Sequence, residues 1–396
     1  MIRARSLSGL LVAAAMAVGG GLLALAQGGA PQAPVPVPLD QLTLPKGFKI
    51  SVFAEGVTNA RAMALGAKGT VFVGSMQAAR KVYAVVDKNG DGVADDVKII
   101  ASSVNIPAGV VFHNGSLYYS TVTQIFRLDD IENHLDAPPA PVPVGEPLPN
   151  NQGHNWRFLA IGPDGLLYMG LGSPCNFECE ADLLKDSRLA SIARMKLDGT
   201  GFEVFAHGVR NTVGFDWHPV THELWFTDNG RDELGDDLPN DELNIAARAG
   251  LNFGYPYCHQ GDTPDALYAG KHACSEFVPP VQKMGPHVAA IGMRFYTGSM
   301  FPAEYKNAAF IAQHGSWNRT TPFGYRVMVA KNDGHKVTDF QEFVGGFLHG
   351  VRGTPRGNRV NGDAYARPAD VLVLKDGSLL VSDDQGGRIF RITYSR

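Results

Sequence analysis

An apolar strand, a tight turn built on Gly or Asp, and a second apolar strand ending in a polar residue recur along this chain. Clear copies run over Ala62–Gly74, Gly109–Ser120, Phe158–Gly170, Gly214–Asp228 and Asp370–Asp383, and a divergent copy with a longer connection lies at Ile291–His314. Glycine in such turns supplies backbone conformations that other residues resist. Copies return at intervals of roughly 45 to 55 residues with one longer gap, the period of propeller blades rather than of helical solenoids. No helical pattern is sustained for more than a short stretch. The expectation is an all-β chain forming a six-bladed β-propeller, with the strand Phe48–Phe53 completing the last blade and removing an exposed sheet edge.

Blades converge on a central axis, so loops that are distant in sequence meet at one face. The fold alone does not say whether that face binds or reacts. With 35 Lys and Arg against 39 Asp and Glu, the formal charge is -4, which leaves no broad basic surface for nucleic acid. The opening Met1-Ile-Arg-Ala-Arg-Ser and the apolar run Leu10–Ala26 read as a signal peptide over 1–26, with Ala24-Leu25-Ala26 before the cleavage point. Retention of that segment as a membrane anchor is the competing reading. A Pro-rich linker follows over 27–43 and the propeller over 44–396. The expected location is periplasmic or secreted. In an oxidising compartment the four cysteines, two local pairs, are expected as Cys175–Cys179 and Cys258–Cys274 disulfides. Zinc is the rival, but neither pair has the spacing of a zinc knuckle.

Several polar groups cluster at equivalent edges of the repeats. They are His154, Val209-Arg210-Asn211, Asn229-Gly230-Arg231-Asp232, Asp241–Asn244, Gly250–Pro256, His314–Arg319 and Arg367–Asp370. As an ordered set, from about Leu44 to the C-terminus, they resemble the soluble pyrroloquinoline-quinone (PQQ) sugar dehydrogenases, in particular the sorbosone-dehydrogenase-like branch. The resemblance implies hydride transfer from a sugar or aldehyde substrate to PQQ, and electrons passing on to an external acceptor. It makes His154 the base, a task suited to an imidazole because its ordinary pKa lies near working pH. It makes Arg210, Asn211, Asn229 and Arg367 cofactor-binding, with Asn318 or Arg319 in place of a family lysine. Guanidinium suits this role because its planar fork binds carboxylates and stays charged. A second arginine, often found beside the Arg367 position, is absent here, where Pro368 and Ala369 stand.

The resemblance also implies a calcium ion held by the backbone carbonyls of Gly230 and Arg231, in keeping with calcium's preference for oxygen. A separate calcium candidate, Asp87, Asn89, Asp91 and Asp95, places side-chain oxygens at alternating positions of a Gly-containing loop, a pattern that a plain Asp/Gly turn also favours. Asn105, Trp156 and Trp317 are candidates for the substrate wall, where polar and aromatic groups suit sugars. The tryptophans serve propeller packing equally well. Two other functions fit a propeller: a calcium-dependent lactonase or related hydrolase, with metal on side-chain carboxylates and carbonyls and no arginine cluster, and a non-catalytic ligand-binding platform.

Overall fold

The computed structural model describes residues 36–150, 153–356 and 359–395. The signal segment 1–26 and the linker as far as residue 35 lie outside them. Six four-stranded antiparallel blades ring an axis, as the repeat period requires. Blade one spans Ala60–Ala101, blade two Val110–Val144, and blade three Leu159–His207 with a short parallel addition at Leu251–Asn252. Blade four runs from Phe215 to Pro286 with an insertion before its last strand, and blade five spans Ala290–Val344. Blade six takes three strands from Pro368–Tyr394 and its outermost strand from Phe48–Ala54. The divergent repeat is a full blade, its strands Ala290–Phe295 and Ala309–Gln313 joined by the longer connection. Among the described residues the only α-helix is Glu180–Lys185.

The ring closes as the sequence predicts. Phe48–Ala54 pairs antiparallel with Arg388–Tyr394, in register from Phe48 opposite Tyr394 to Val52 opposite Phe390, with a shift at Phe53 that sets Ala54 opposite Ile389. Phe48 also locks blade six to blade five, its ring 4.8 Å from Phe301, 5.2 Å from Tyr305 and 4.9 Å from Phe343. Around the axis the inner strands approach so closely that side chains must vanish at the contacts. A Cβ on Gly214 would stand 2.0 Å from the Ile291 carbonyl oxygen of the next blade. Beneath the site face a small cavity is lined by Ala62, Ala108, Phe158, Val213, Ile291 and Ala369, one residue from each inner strand or the segment leading into it, together with Arg61, Trp156 and Asp370.

Phe48 is buried against four aromatic neighbours, so Phe48→Ala leaves a cavity at the closure point. The expected loss is about 3 kcal/mol, read as a lowered urea midpoint with an unchanged m-value.

Candidate active site

In every blade the innermost strand begins at the face where the second strand ends, so the segments entering the one and leaving the other gather at one end of the axis. His154 and Trp156 precede the inner strand of blade three, Arg210 and Asn211 that of blade four, and Arg367 that of blade six. Asn229, Gly230 and Arg231 follow the second strand of blade four, and Trp317, Asn318 and Arg319 lie in the corresponding loop of blade five. Asn105, before blade two, is exposed, and its carbonyl accepts the Val122 N–H at 3.3 Å.

The orientation of His154 is set by its neighbour strand. Nδ1 lies 3.0 Å from the Ser173 carbonyl oxygen and 2.9 Å from Ser173 Oγ. A carbonyl can only accept, and Ser173 Oγ–H is already donated to the Cys175 carbonyl at 2.8 Å, so Nδ1 carries the proton. Nε2 is therefore the basic nitrogen. Burial, reinforced by the positive charges of Arg210 and Arg157, lowers the imidazole pKa to about 3. The ring fits there because residue 172 is glycine: a Cβ at Gly172 would lie 2.5 Å from the His154 Cβ.

Two arginines face the site with little counter-charge. Arg210 is buried and donates from Nε to the Asn176 carbonyl at 3.1 Å, from Nη2 to Asn176 Oδ1 at 2.8 Å, and from Nη1 to the Asn229 carbonyl at 3.0 Å. Its nearest carboxylate contact is Asp232, 3.7 Å away. Arg367 donates to the carbonyls of His314 at 3.0 Å and Gly315 at 2.8 Å, and it lies over the Tyr325 ring. Neutral acceptors orient both guanidiniums without cancelling their charge. Asp228 fixes the backbone beneath, accepting the N–H groups of Arg210 at 2.8 Å and Asn211 at 2.6 Å, while the Asn211 amide donates to Asn229 Oδ1 at 3.3 Å.

Sequence reasoning missed a further constellation on this face. His314 Nε2 lies 2.8 Å from Asp384, whose other oxygen is 3.2 Å from Arg61 Nη1, and Arg61 stacks over Trp156 at 5.2 Å. Although burial opposes it, His314 and Arg61 hold the Asp384 carboxyl well below the usual range. Burial and the Arg367 charge lower the His314 pKa to about 4. These groups come from blades five, six, one and three. A carboxylate at the end of the blade-six repeat, Asp383-Asp384, was the only local signal.

Other candidates are placed differently. Arg319 turns toward the Asp236–Asp237 segment, donating to the Asp236 carbonyl and lying 3.7 Å from Asp237, with Phe323 beneath it. Trp317 is 45% exposed, so it lines the rim rather than the core. Asn318 is buried, donates to Asp232 and has a carbonyl oxygen without a partner among the described residues. Arg231 directs its side chain away, pairing with Asp265 at 2.6 Å and lying 3.9 Å over the Phe177 ring, so only its carbonyl is left for a ligand.

Asp241 fixes the loop by accepting the Gly230 N–H at 2.9 Å. No described residue donates a hydrogen bond to the Gly230 or Arg231 carbonyl. Two consecutive free carbonyls fit a hard cation, and two guanidiniums bonded mainly to neutral oxygens fit a polycarboxylate.

The loop Asp87–Asp95 is held by its own amides. Asp87 accepts from Gly90 and Gly92 N–H at 2.7 and 2.9 Å, Asn89 from Asp91 at 2.9 Å, Asp91 from Val93 at 2.8 Å, and Asp95 from Lys88 at 2.6 Å. That is the bonding of an acidic turn. Among the described residues, no three His, Cys, Asp or Glu side chains come together as a metal cluster. Both expected disulfides, Cys175–Cys179 and Cys258–Cys274, are formed.

A propeller whose face holds the basic nitrogen of His154 within the field of Arg210, a guanidinium bonded mainly to neutral oxygens, is organised for proton removal next to a bound anion, which is the chemistry of an enzyme. The chain belongs to the TrAA12-like family, whose model matches residues 42–395. It is 30% identical over 370 residues to an uncharacterised protein of Borreliella burgdorferi, covering 90% of this chain and 91% of that one. It is 23% identical over 331 residues to a pyrroloquinoline quinone-dependent sugar dehydrogenase of Hypocrea jecorina, covering 72% and 74%. The holo PQQ domain of pyranose dehydrogenase from Coprinopsis cinerea shares the fold, with a TM-score of 0.74, 21% identity and coverage of 92% of this chain and 99% of that one.

Because the folded pKa of His154, about 3, lies below the unfolded value near 6.5, its contribution to stability is complete above pH 6.5 and is lost as pH falls toward 3. Histidine-selective NMR of the ligand-free protein is expected to show this ring neutral at pH 5, with Nδ1 as the protonated nitrogen.

Proposed function

We propose that this protein oxidises a sugar-like alcohol or aldehyde hydrate by hydride transfer to pyrroloquinoline quinone in the presence of calcium, and passes the electrons to an external acceptor. The observation that carries this reading is the fixed tautomer of His154, with Nε2 as its basic nitrogen, beside Arg210 and Arg367 held by neutral oxygens. The PQQ-dependent relatives support it, and the paired cysteines support export to an oxidising compartment.

When bound, the quinone accepts hydride and calcium polarises the carbonyl that receives it. Nε2 of His154 takes the proton of the substrate hydroxyl as hydride leaves the adjacent carbon. Ser173 keeps the ring in that tautomer throughout. Arg210 and Arg367 bind the cofactor's carboxylates, with Asn211, Asn229 and Asn318 supplying polar contacts. The Gly230 and Arg231 carbonyls hold calcium. Trp156, Trp317 and Asn105 bound the approach of the sugar. The depressed pKa of His154 leaves it free to accept a proton at any ordinary pH, and an anion on Arg210 offsets part of the field that depresses it.

Purified protein loaded with PQQ and calcium is expected to reduce a redox dye with some members of an aldose panel. Absence of both PQQ binding and dye reduction refutes the reading, and lactone hydrolysis without quinone supports the hydrolase instead. His154→Ala should bind PQQ yet lose about 10²- to 10⁴-fold in kcat. Full turnover by that variant removes His154 as the base. Removing calcium with a chelator should abolish dye reduction and readdition should restore it.

A further inference from the structure

The segment from Ser173 to Cys179, between the second strand of blade three and the short helix Glu180–Lys185, touches both His154 and the Arg210–Asp232 side of the site, although none of the cofactor assignments falls on it. Ser173 sets the tautomer of His154. Asn176 does more. Its Oδ1 accepts both the Arg210 Nη2–H and the Asp232 backbone N–H at 2.8 Å. Its carbonyl accepts the Arg210 Nε–H and the Tyr255 O–H, both at 3.1 Å. One residue of blade three therefore grips the edge of the blade-four arginine and the peptide that directly follows the Gly230 and Arg231 carbonyls. The Cys175–Cys179 disulfide closes this loop, and the Cys175 carbonyl is tied to Ser173 Oγ–H and, at 3.3 Å, to Tyr255 O–H.

The side chain at position 176 is an amide whose Nδ2 donates to the Asp232 carbonyl at 3.4 Å, so a carboxylate of the same shape keeps the bond to Arg210 but turns an oxygen toward that carbonyl. An aspartate there would also bring a full negative charge to Arg210 and weaken the attraction that a polyanion needs. An amide oxygen fixes the same geometry and leaves the charge in place. We propose that Asn176 is a positioning residue that aims Arg210, and the peptide joining Arg231 to Asp232, at the anionic cofactor without adding to the one carboxylate contact, Asp232 at 3.7 Å, that Arg210 already has. The proposal rests on the PQQ reading given above.

The test is equilibrium titration of cofactor-free protein with PQQ in calcium buffer, followed by absorbance, for wild type, Asn176→Ala and Asn176→Asp, with urea midpoints measured alongside. Loss of aim alone should raise the Kd of Asn176→Ala about tenfold. Loss of aim together with charge should raise that of Asn176→Asp about a hundredfold. The kcat of each variant at saturating PQQ should stay within a few fold of wild type.

Equal loss in the two variants, or no loss in either, overturns the proposal. If the aspartate variant does not fold, Asn176→Ala decides: wild-type affinity for PQQ, or a defect confined to kcat, overturns it. A wild-type protein that does not bind PQQ would instead refute the cofactor reading itself, so the two failures are distinguishable.

Discussion

Pairing of the first strand with the last is the constraint on which the molecule depends. The ring has one seam that covalent continuity does not hold, inside blade six, where Phe48–Ala54, which leads into blade one, pairs with Arg388–Tyr394 at the chain's other end. The seam is sewn further inward by Ser382 Oγ–H to the Arg61 carbonyl at 2.9 Å, by Asn59 to the Asp384 carbonyl at 3.1 Å and by Met63 N–H to Asp370 at 2.9 Å. These contacts span more than 300 residues, so forming them carries the full cost of closing a very long loop. Two of the tied residues, Arg61 and Asp384, also belong to the site face. Closing the ring and assembling the site are thus one event: an open ring would separate Arg61 from Asp384 and leave Asp384 with His314 alone.

Electrostatics on that face follow a simple division. Arg61 has a carboxylate partner in Asp384, and Arg231 has one in Asp265, so each pair is close to neutral and serves to hold segments together. Arg210 and Arg367 are satisfied chiefly by carbonyl and amide oxygens. Asp232, 3.7 Å from Arg210, offsets part of that charge. A cation met mainly by neutral oxygens is a reason to expect an anion in the complete enzyme. Burial, with the arginine charges added to it, keeps His154 and His314 neutral, which leaves an imidazole lone pair where an ordinary surface histidine would be partly protonated.

The fold was legible because a blade is a local object. Its period, its turn glycines and its apolar alternation all lie within about 50 residues, and even the divergent repeat at Ile291–His314 kept enough of them to be counted. The disulfides were legible for the same reason of short separation. His154, Arg210, Asn211 and Arg367 could be singled out because they sit at equivalent points of successive repeats. Arg61 and Asp384 could not, and His314 only as the start of the segment His314–Arg319, since the significance of all three lies in contacts between blades that no local pattern records. Asn176 was hidden for a different reason: it lies in an irregular loop whose bonding depends on where blade four places Arg210. Arg319 shows the converse, a cation adjacent to site residues whose side chain is committed to Asp236 and Phe323.

The axial cavity decides how the face can be used. It encloses about 20 Å³, roughly the room a single water requires, and its walls are mostly apolar, with Asp370 on one side already paired to Arg294 at 3.2 Å. Arg61 and Trp156 complete its lining toward the face, stacked on each other and anchored through Asp384. A space of that size on the axis has no room for a sugar. A ligand as large as a sugar would therefore come to the groups around His154 from the face that carries them. Repeated small residues at the inner strands, such as Gly214 against Ile291, draw the blades close enough to produce this narrowing. The packing that makes the propeller rigid is thus also what confines its chemistry to one end.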